Sequence, residues 1–187
     1  METERFEALI DAILAIIITI IVLEIPMASN GSWQALLDLK FEFIIYAISF
    51  MICFNFWNFN NNIFSIVNKI DSKVIWTMGL TLFVFSLLPY FTTFAAENFY
   101  VFFPQCLYGI IFILTAIFSL FLGEFLKQSD PGNIALQIAL SDRRPMYFTI
   151  ILVMIGIVIG YFGYPPAIMA CCLVSIFGVW TIPRIID

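Results

Sequence analysis

The chain has 187 residues, of which 63% are apolar and only 11% charged, with a net charge of −5, no histidine and a mean hydropathy of +1.04. A soluble domain is nearer half apolar and a quarter charged, so this composition excludes a single aqueous core and predicts an all-α membrane protein with no soluble domain. An acidic chain without a basic stripe does not bind nucleic acid, and the missing histidine removes the commonest metal ligand and proton relay.

A crossing helix needs about 20 apolar residues to bridge roughly 30 Å. The first stretch that meets this runs over residues 6–27 and closes at Pro26 and Asn30-Gly31. It carries Glu7, Asp11 and Glu24, which sets it apart from the other spans. A secretory signal peptide would need a positive start, and Glu4, Glu7 and Asp11 deny it one. The second span is predicted over 42–63 and the third over 74–96, joined by a short loop holding Lys69, Asp71 and Lys73. The fourth, 98–123, contains Pro104, in its first turn or at a kink. Polar residues follow to Arg144, with Ser129-Asp130-Pro131-Gly132 as a turn and Ile134 to Leu140 as a short interfacial segment.

From Pro145 to Pro183 there is no charge over 39 residues, nearly twice one span. Gly160, Gly163, Pro165 and Pro166 interrupt it, so it folds back as spans over 145–160 and 166–183. The expectation is six transmembrane helices in a single domain, 1–187. With both termini cytoplasmic, seven of the eight basic residues lie inside and Lys40 alone outside, as the distribution of positive charge in short loops requires.

Charge within a span costs at least about 2.5 kcal/mol at the bilayer centre, so such residues face protein or water. Asp11 is the deepest, with Arg5 or the amides of Asn55, Asn58 and Asn60 to Asn62 as candidate partners; a helix-locking polar cluster and direct ion coordination both remain open. Ile16, Thr19 and Leu23 recur at helical spacing and share one face, which either lines a pore or packs against lipid and neighbouring helices. The four cysteines lie in apolar stretches and act as small packing residues, not as a disulfide framework. No carbonyl filter of the Thr-Val-Gly-Tyr-Gly kind, no His-Glu-x-x-His zinc motif and no phosphate-binding loop is present, so neither an enzyme nor a resident cofactor or metal is expected.

The run Arg5-Phe6-Glu7-Ala8-Leu9-Ile10-Asp11, opening the first of six spans, resembles the Arg-x-x-x-Phe-Ser-Asp signature of the transmembrane protein 175 family, lysosomal potassium channels and their prokaryotic relatives. Trp57 before a polar cluster and Leu87 to Thr92 ending the third span are similar to the family as well, while Leu9 and Ile10 replace its Phe and Ser. The resemblance implies a potassium-preferring channel in a prokaryotic plasma membrane, passing monovalent cations. Its pore would be lined by the first helix, with Ile16 and Leu23 as apolar rings, Thr19 between them, and Arg5 with Asp11 as inner-end scaffold. Animal members carry two six-helix repeats per chain and pair, so a single repeat implies a homotetramer. The alternative from a different class is a proton-coupled secondary transporter using Glu7, Asp11 or Glu24.

Overall fold

The computed structural model describes residues 3–181, with side chains in the last helix as far as Ile176. Arg184 and the expected end of the sixth span at 183 lie outside the described residues. Nine helices and no strand occur among the described residues: α1 Thr3–Leu23, α2 Trp33–Asp38, α3 Lys40–Phe64, α4 Ser72–Phe85, α5 Leu88–Glu97, α6 Phe102–Ser129, α7 Ile134–Ala139, α8 Arg144–Tyr161 and α9 Pro166–Thr181. By length and composition α1, α3, the α4–α5 pair, α6 and the α7–α8 pair can each cross a membrane, and α9 adds a shorter apolar helix.

Several boundaries follow directly from local chemistry. Ser32 caps α2 through its hydroxyl and Asp71 caps α4 through Oδ1, each accepting from the backbone N–H three residues on. Asn30-Gly31-Ser32 is a turn, with Asn30 Oδ1 accepting the Ser32 N–H at 3.0 Å. The stretch expected as one continuous third span is broken after Phe85. Pro89 has no N–H and its ring collides with the carbonyl four residues back, which belongs to Phe85, so α4 ends there and α5 begins again at Leu88. Pro104 lies in the first turn of α6, where a proline is tolerated, and α6 continues past the expected 123 as far as Ser129.

Gly163 turns the chain between α8 and α9 at φ +121°, a conformation few other residues adopt. Gly156 and Gly160, one turn apart on α8, let α9 approach closely: a Cβ on Gly156 would meet the Ile168 Cα and Cys171 Cβ at 3.0 Å. Such small-residue contacts are how helices pack where lipid is as apolar as leucine. Cys172 is fully buried in that packing and all four cysteines are free.

α1 buries Phe6, Ile10, Leu14, Ile17 and Ile21 against α3, α4 and α5. At the bundle centre a hydroxyl chain joins α3, α5 and α6. Thr92 gives its only hydroxyl proton to the Leu88 carbonyl at 2.7 Å, so Ser49 must donate to Thr92 at 2.8 Å and Tyr108 to Ser49 at 2.9 Å. All three are buried, and every proton has an acceptor.

One end of the bundle gathers the cations. Phe6 packs edge-on to Phe64, Lys73 lies over the Phe125 ring, and Arg143 pairs with Glu124, which brings the start of α1, the end of α3, the start of α4, the end of α6 and the start of α8 together. Arg5, Lys69, Lys73, Lys127, Arg143 and Arg144 all belong to these segments. Asp130 locks the same end by accepting the Asn68 backbone N–H and the Asn133 amide, while Asn133 donates to the Ile66 carbonyl. Lys40 sits at the opposite end, its ammonium over Phe41, whose ring stacks on Phe99.

Candidate functional site: the outward face of the first helix

Because α1 turns its buried stripe inward, the opposite stripe faces away from the rest of the chain. Leu9, Ile16 and Leu23, seven residues apart in steps, are all exposed, Ile16 by 58% and Leu23 by 79%. Thr19 lies on the same face, its hydroxyl donating to the Ile16 carbonyl at 2.8 Å. That bond uses the proton, and the oxygen of this exposed side chain keeps lone pairs that can accept from water or meet a cation. The structure therefore brings Ile16, Thr19 and Leu23 to one surface, with Arg5 exposed near the N-terminal end of the same stripe.

The character of this surface differs from that of a plain lipid face. On α8 the exposed positions are uniformly large, with Ile151, Met154, Ile155 and Val158 each about half exposed. On α1 the exposed positions mix bulky Leu9, Ile16, Ile20, Val22 and Leu23 with small Ala8, Ala12 and Ala15 and the hydroxyl of Thr19. Small residues and a hydroxyl are what helix–helix or helix–water contact selects in a membrane.

Asp11 lies to the side of this stripe, half-buried. Its Oδ1 accepts the indole N–H of Trp57 on α3 at 2.9 Å. Neither Arg5, exposed on the outward stripe, nor the asparagine amides named as candidates supply that bond. Asn60, buried, instead donates to the Phe56 carbonyl of its own helix at 2.7 Å. Asp11 and Trp57 are 46 residues apart, and Trp57 stands out in the sequence only as a family-like residue before the asparagine cluster, so no local spacing identifies the pair. Arg5 and Asp11, named together from the motif, are not in contact. Among the described residues, no group of three Asp, Glu or Cys side chains stands ready to hold a metal ion.

Against this geometry the relatives of the chain can be set. Residues 5–89 match the family described as the endosomal/lysosomal potassium channel TMEM175, the segment that contains all but the first two residues of α1, Trp57 and the α4–α5 break. A potassium channel of Chryseobacterium sp. (strain P1-3) is 32% identical over 98% of this chain and 94% of its own length. A potassium channel of Chamaesiphon minutus (strain ATCC 27169 / PCC 6605) is 32% identical over 62% of each chain. In fold, the chain is similar to the crystal structure of a lysosomal potassium-selective channel TMEM175 homolog from Chamaesiphon minutus, with a TM-score of 0.72, 22% identity and 96% of both chains covered. With 32% identity to the Chryseobacterium channel over nearly the whole of both chains, an all-helical fold and helices long and apolar enough to span a bilayer, the chain is a multi-pass membrane protein and belongs to the TMEM175 family.

Proposed function

We propose that four copies of this chain assemble around a central, potassium-preferring pore in a prokaryotic plasma membrane, both termini cytoplasmic. The α1 helices line the pore, Ile16 and Leu23 form its apolar rings, and Thr19 provides a polar ring between them. The observation that carries this reading is the outward face of α1, which mixes small residues and a hydroxyl with regularly spaced bulky ones where a lipid face such as that of α8 is uniformly large. The potassium-channel relatives support the choice of ion. Gathering six cations at one end supports the orientation.

An apolar ring gates by dewetting and discriminates by the cost of stripping an ion's water, which is lower for potassium than for sodium. Arg5 and Asp11 stand beside the inner mouth: Asp11 ties α1 to α3 through Trp57, and Arg5 faces the stripe. The proton-coupled transporter reading would use Glu7, Asp11 or Glu24, and the engagement of the Asp11 carboxylate by an indole N–H weighs against a free relay there. The test is flux through purified protein in liposomes, with the mass of the solubilised complex measured in parallel. Passive, potassium-preferring flux from a tetramer sustains the proposal; obligatory exchange against protons, or flux from a monomer, overturns it.

A further inference from the structure

At the cation-rich end, α7 folds back between the end of α6 and the start of α8 and leaves a groove of about 260 Å³. Leu120 and Gly123 of α6, Leu140 after α7, and Pro145 and Met146 of α8 wall it, and Asp142 and Arg143 stand at its mouth. The same two residues belong to an adjoining polar shelf of about 390 Å³ completed by Ser141, Arg144 and Tyr147. An apolar slot thus opens directly onto a polar, charged ledge.

The charges on that ledge do not cancel. Arg143 pairs with Glu124, Lys127 lies 3.9 Å from the same carboxylate, and Arg144 holds Asp142 at 2.9 Å. Three cations face two carboxylates, a local surplus of one positive charge in a chain whose net charge is −5. Each arginine has five N–H donors in a planar fork, and these pairs use only some of them. The unused donors point to an acceptor with several oxygens, and the fork geometry suits phosphate.

We propose that groove and shelf together bind one anionic phospholipid of the surrounding bilayer, its phosphate on Arg143 and Arg144 and part of an acyl chain in the slot between α6, α7 and α8. Charge complementarity selects the headgroup, and the order of surfaces selects a lipid over a free anion. A soluble phosphate would use the ledge and leave the apolar slot exposed, whereas a phospholipid fills both at the depth where headgroup gives way to hydrocarbon. Basic pockets between helices on one side of a membrane protein are known lipid-headgroup sites on the same physical grounds.

The experiment is native mass spectrometry of the delipidated full-length protein titrated with phosphatidylglycerol and, in parallel, phosphatidylcholine of the same acyl chains. Tighter binding of phosphatidylglycerol is expected. Arg144→Gln should weaken it about fivefold, the worth of one basic residue near an anionic headgroup, while leaving phosphatidylcholine unchanged. Arg143→Gln also breaks the Glu124 pair to α6, so Arg144→Gln, whose arginine pairs with Asp142 two residues before it, is the primary charge variant. Gly123→Leu fills the slot and should weaken both lipids. Equal binding of the two lipids, or unchanged phosphatidylglycerol binding in Arg144→Gln or in Gly123→Leu, overturns the site. Displacement of phosphatidylglycerol by inorganic phosphate at equal concentration overturns the lipid assignment and leaves an anion site only.

Discussion

The bond from Trp57 to Asp11 can be tested quantitatively by a double-mutant cycle of Asp11→Ala, Trp57→Phe and the pair. It is a 2.9 Å hydrogen bond to a carboxylate, half-buried, joining α1 to α3 across 46 residues. Hydrogen bonds to charged groups contribute about 1.5 to 3 kcal/mol in soluble proteins, whereas interhelical bonds in a membrane average about 0.6 and reach about 1.7 kcal/mol. The two ranges meet near about 1.5 kcal/mol, roughly a tenfold change in the folded population. The single variants should differ: Asp11→Ala strands a neutral indole N–H, but Trp57→Phe strands a carboxylate within a membrane-spanning helix, the costlier of the two. Adding the second substitution should then recover part of the loss.

Stability is read from detergent-induced unfolding of the purified complex, and potassium and sodium flux per folded complex is read in liposomes. A coupling below about 0.5 kcal/mol, the error of simple additivity, would falsify the claim that this bond fastens α1 to the bundle. The flux arm separates scaffold from permeation path. Folded Trp57→Phe should keep the wild-type ion preference; a changed preference with unchanged stability would move Asp11 into the pore.

Ile16→Asn should wet the proposed ring, so both potassium and sodium pass faster and the preference between them shrinks, while Thr19→Ala shifts the preference only modestly; unchanged rate and preference in well-folded Ile16→Asn would remove Ile16 from the pore. Tyr108→Phe leaves Ser49 still donating to Thr92 and should cost about 1 kcal/mol or less, whereas Ser49→Ala strands the fully buried tyrosine proton and should cost about 1 to 3 kcal/mol; the reverse order in thermal unfolding would contradict the direction assigned to the hydroxyl chain. Gly156→Ala drives a methyl to 3.0 Å from the α9 backbone and should destabilise by about 1 to 3 kcal/mol, checked by detergent unfolding, while Gly79→Ala, which meets nothing within 4 Å, should not. The Asn133 amide, with help from the Asn68 backbone N–H, holds the Asp130 carboxyl below its ordinary value of 3.8. Its stabilisation is fully present above that value and is lost as the pH falls through the lower folded-state value, so the acid limb of a stability profile should flatten in Asp130→Asn.

The overall plan was legible because bilayer length and hydropathy are strong signals: apolar stretches separated by Asn30-Gly31, Lys69 to Lys73, Ser129 to Gly132 and Gly163 to Pro166 yield the helices with small shifts of boundary. The shifts have local causes. Pro89 splits α4 from α5 although hydropathy runs on unbroken, and α6 extends through Glu124 and Lys127 because a helix can emerge from the apolar layer with its charges paired at the surface. Asn133 starts α7 at the short segment expected over Ile134 to Leu140, whereas the short α2 that Ser32 caps follows from its capping side chain and not from hydropathy. The Asp11 carboxylate was recognisable as a group in need of a partner, but Trp57 was not recognisable as that partner, since an indole offers one N–H on an otherwise apolar body. Periodicity could not separate the inward face of α1 from its outward one, because lipid and helix interior are equally apolar and both accept Ile and Leu. What does separate them is side-chain size. Phe6, Ile10, Leu14, Ile17 and Ile21 fill the bundle, all of them large, while Ala8, Ala12, Ala15 and Thr19 lie open among the bulkier Leu9, Ile16, Ile20, Val22 and Leu23. A face meeting only lipid gains nothing from alanine over leucine, as the large exposed residues of α8 illustrate. The proposed pore face of α1 therefore rests on its small residues and its one hydroxyl, a signal that hydropathy and periodicity do not register.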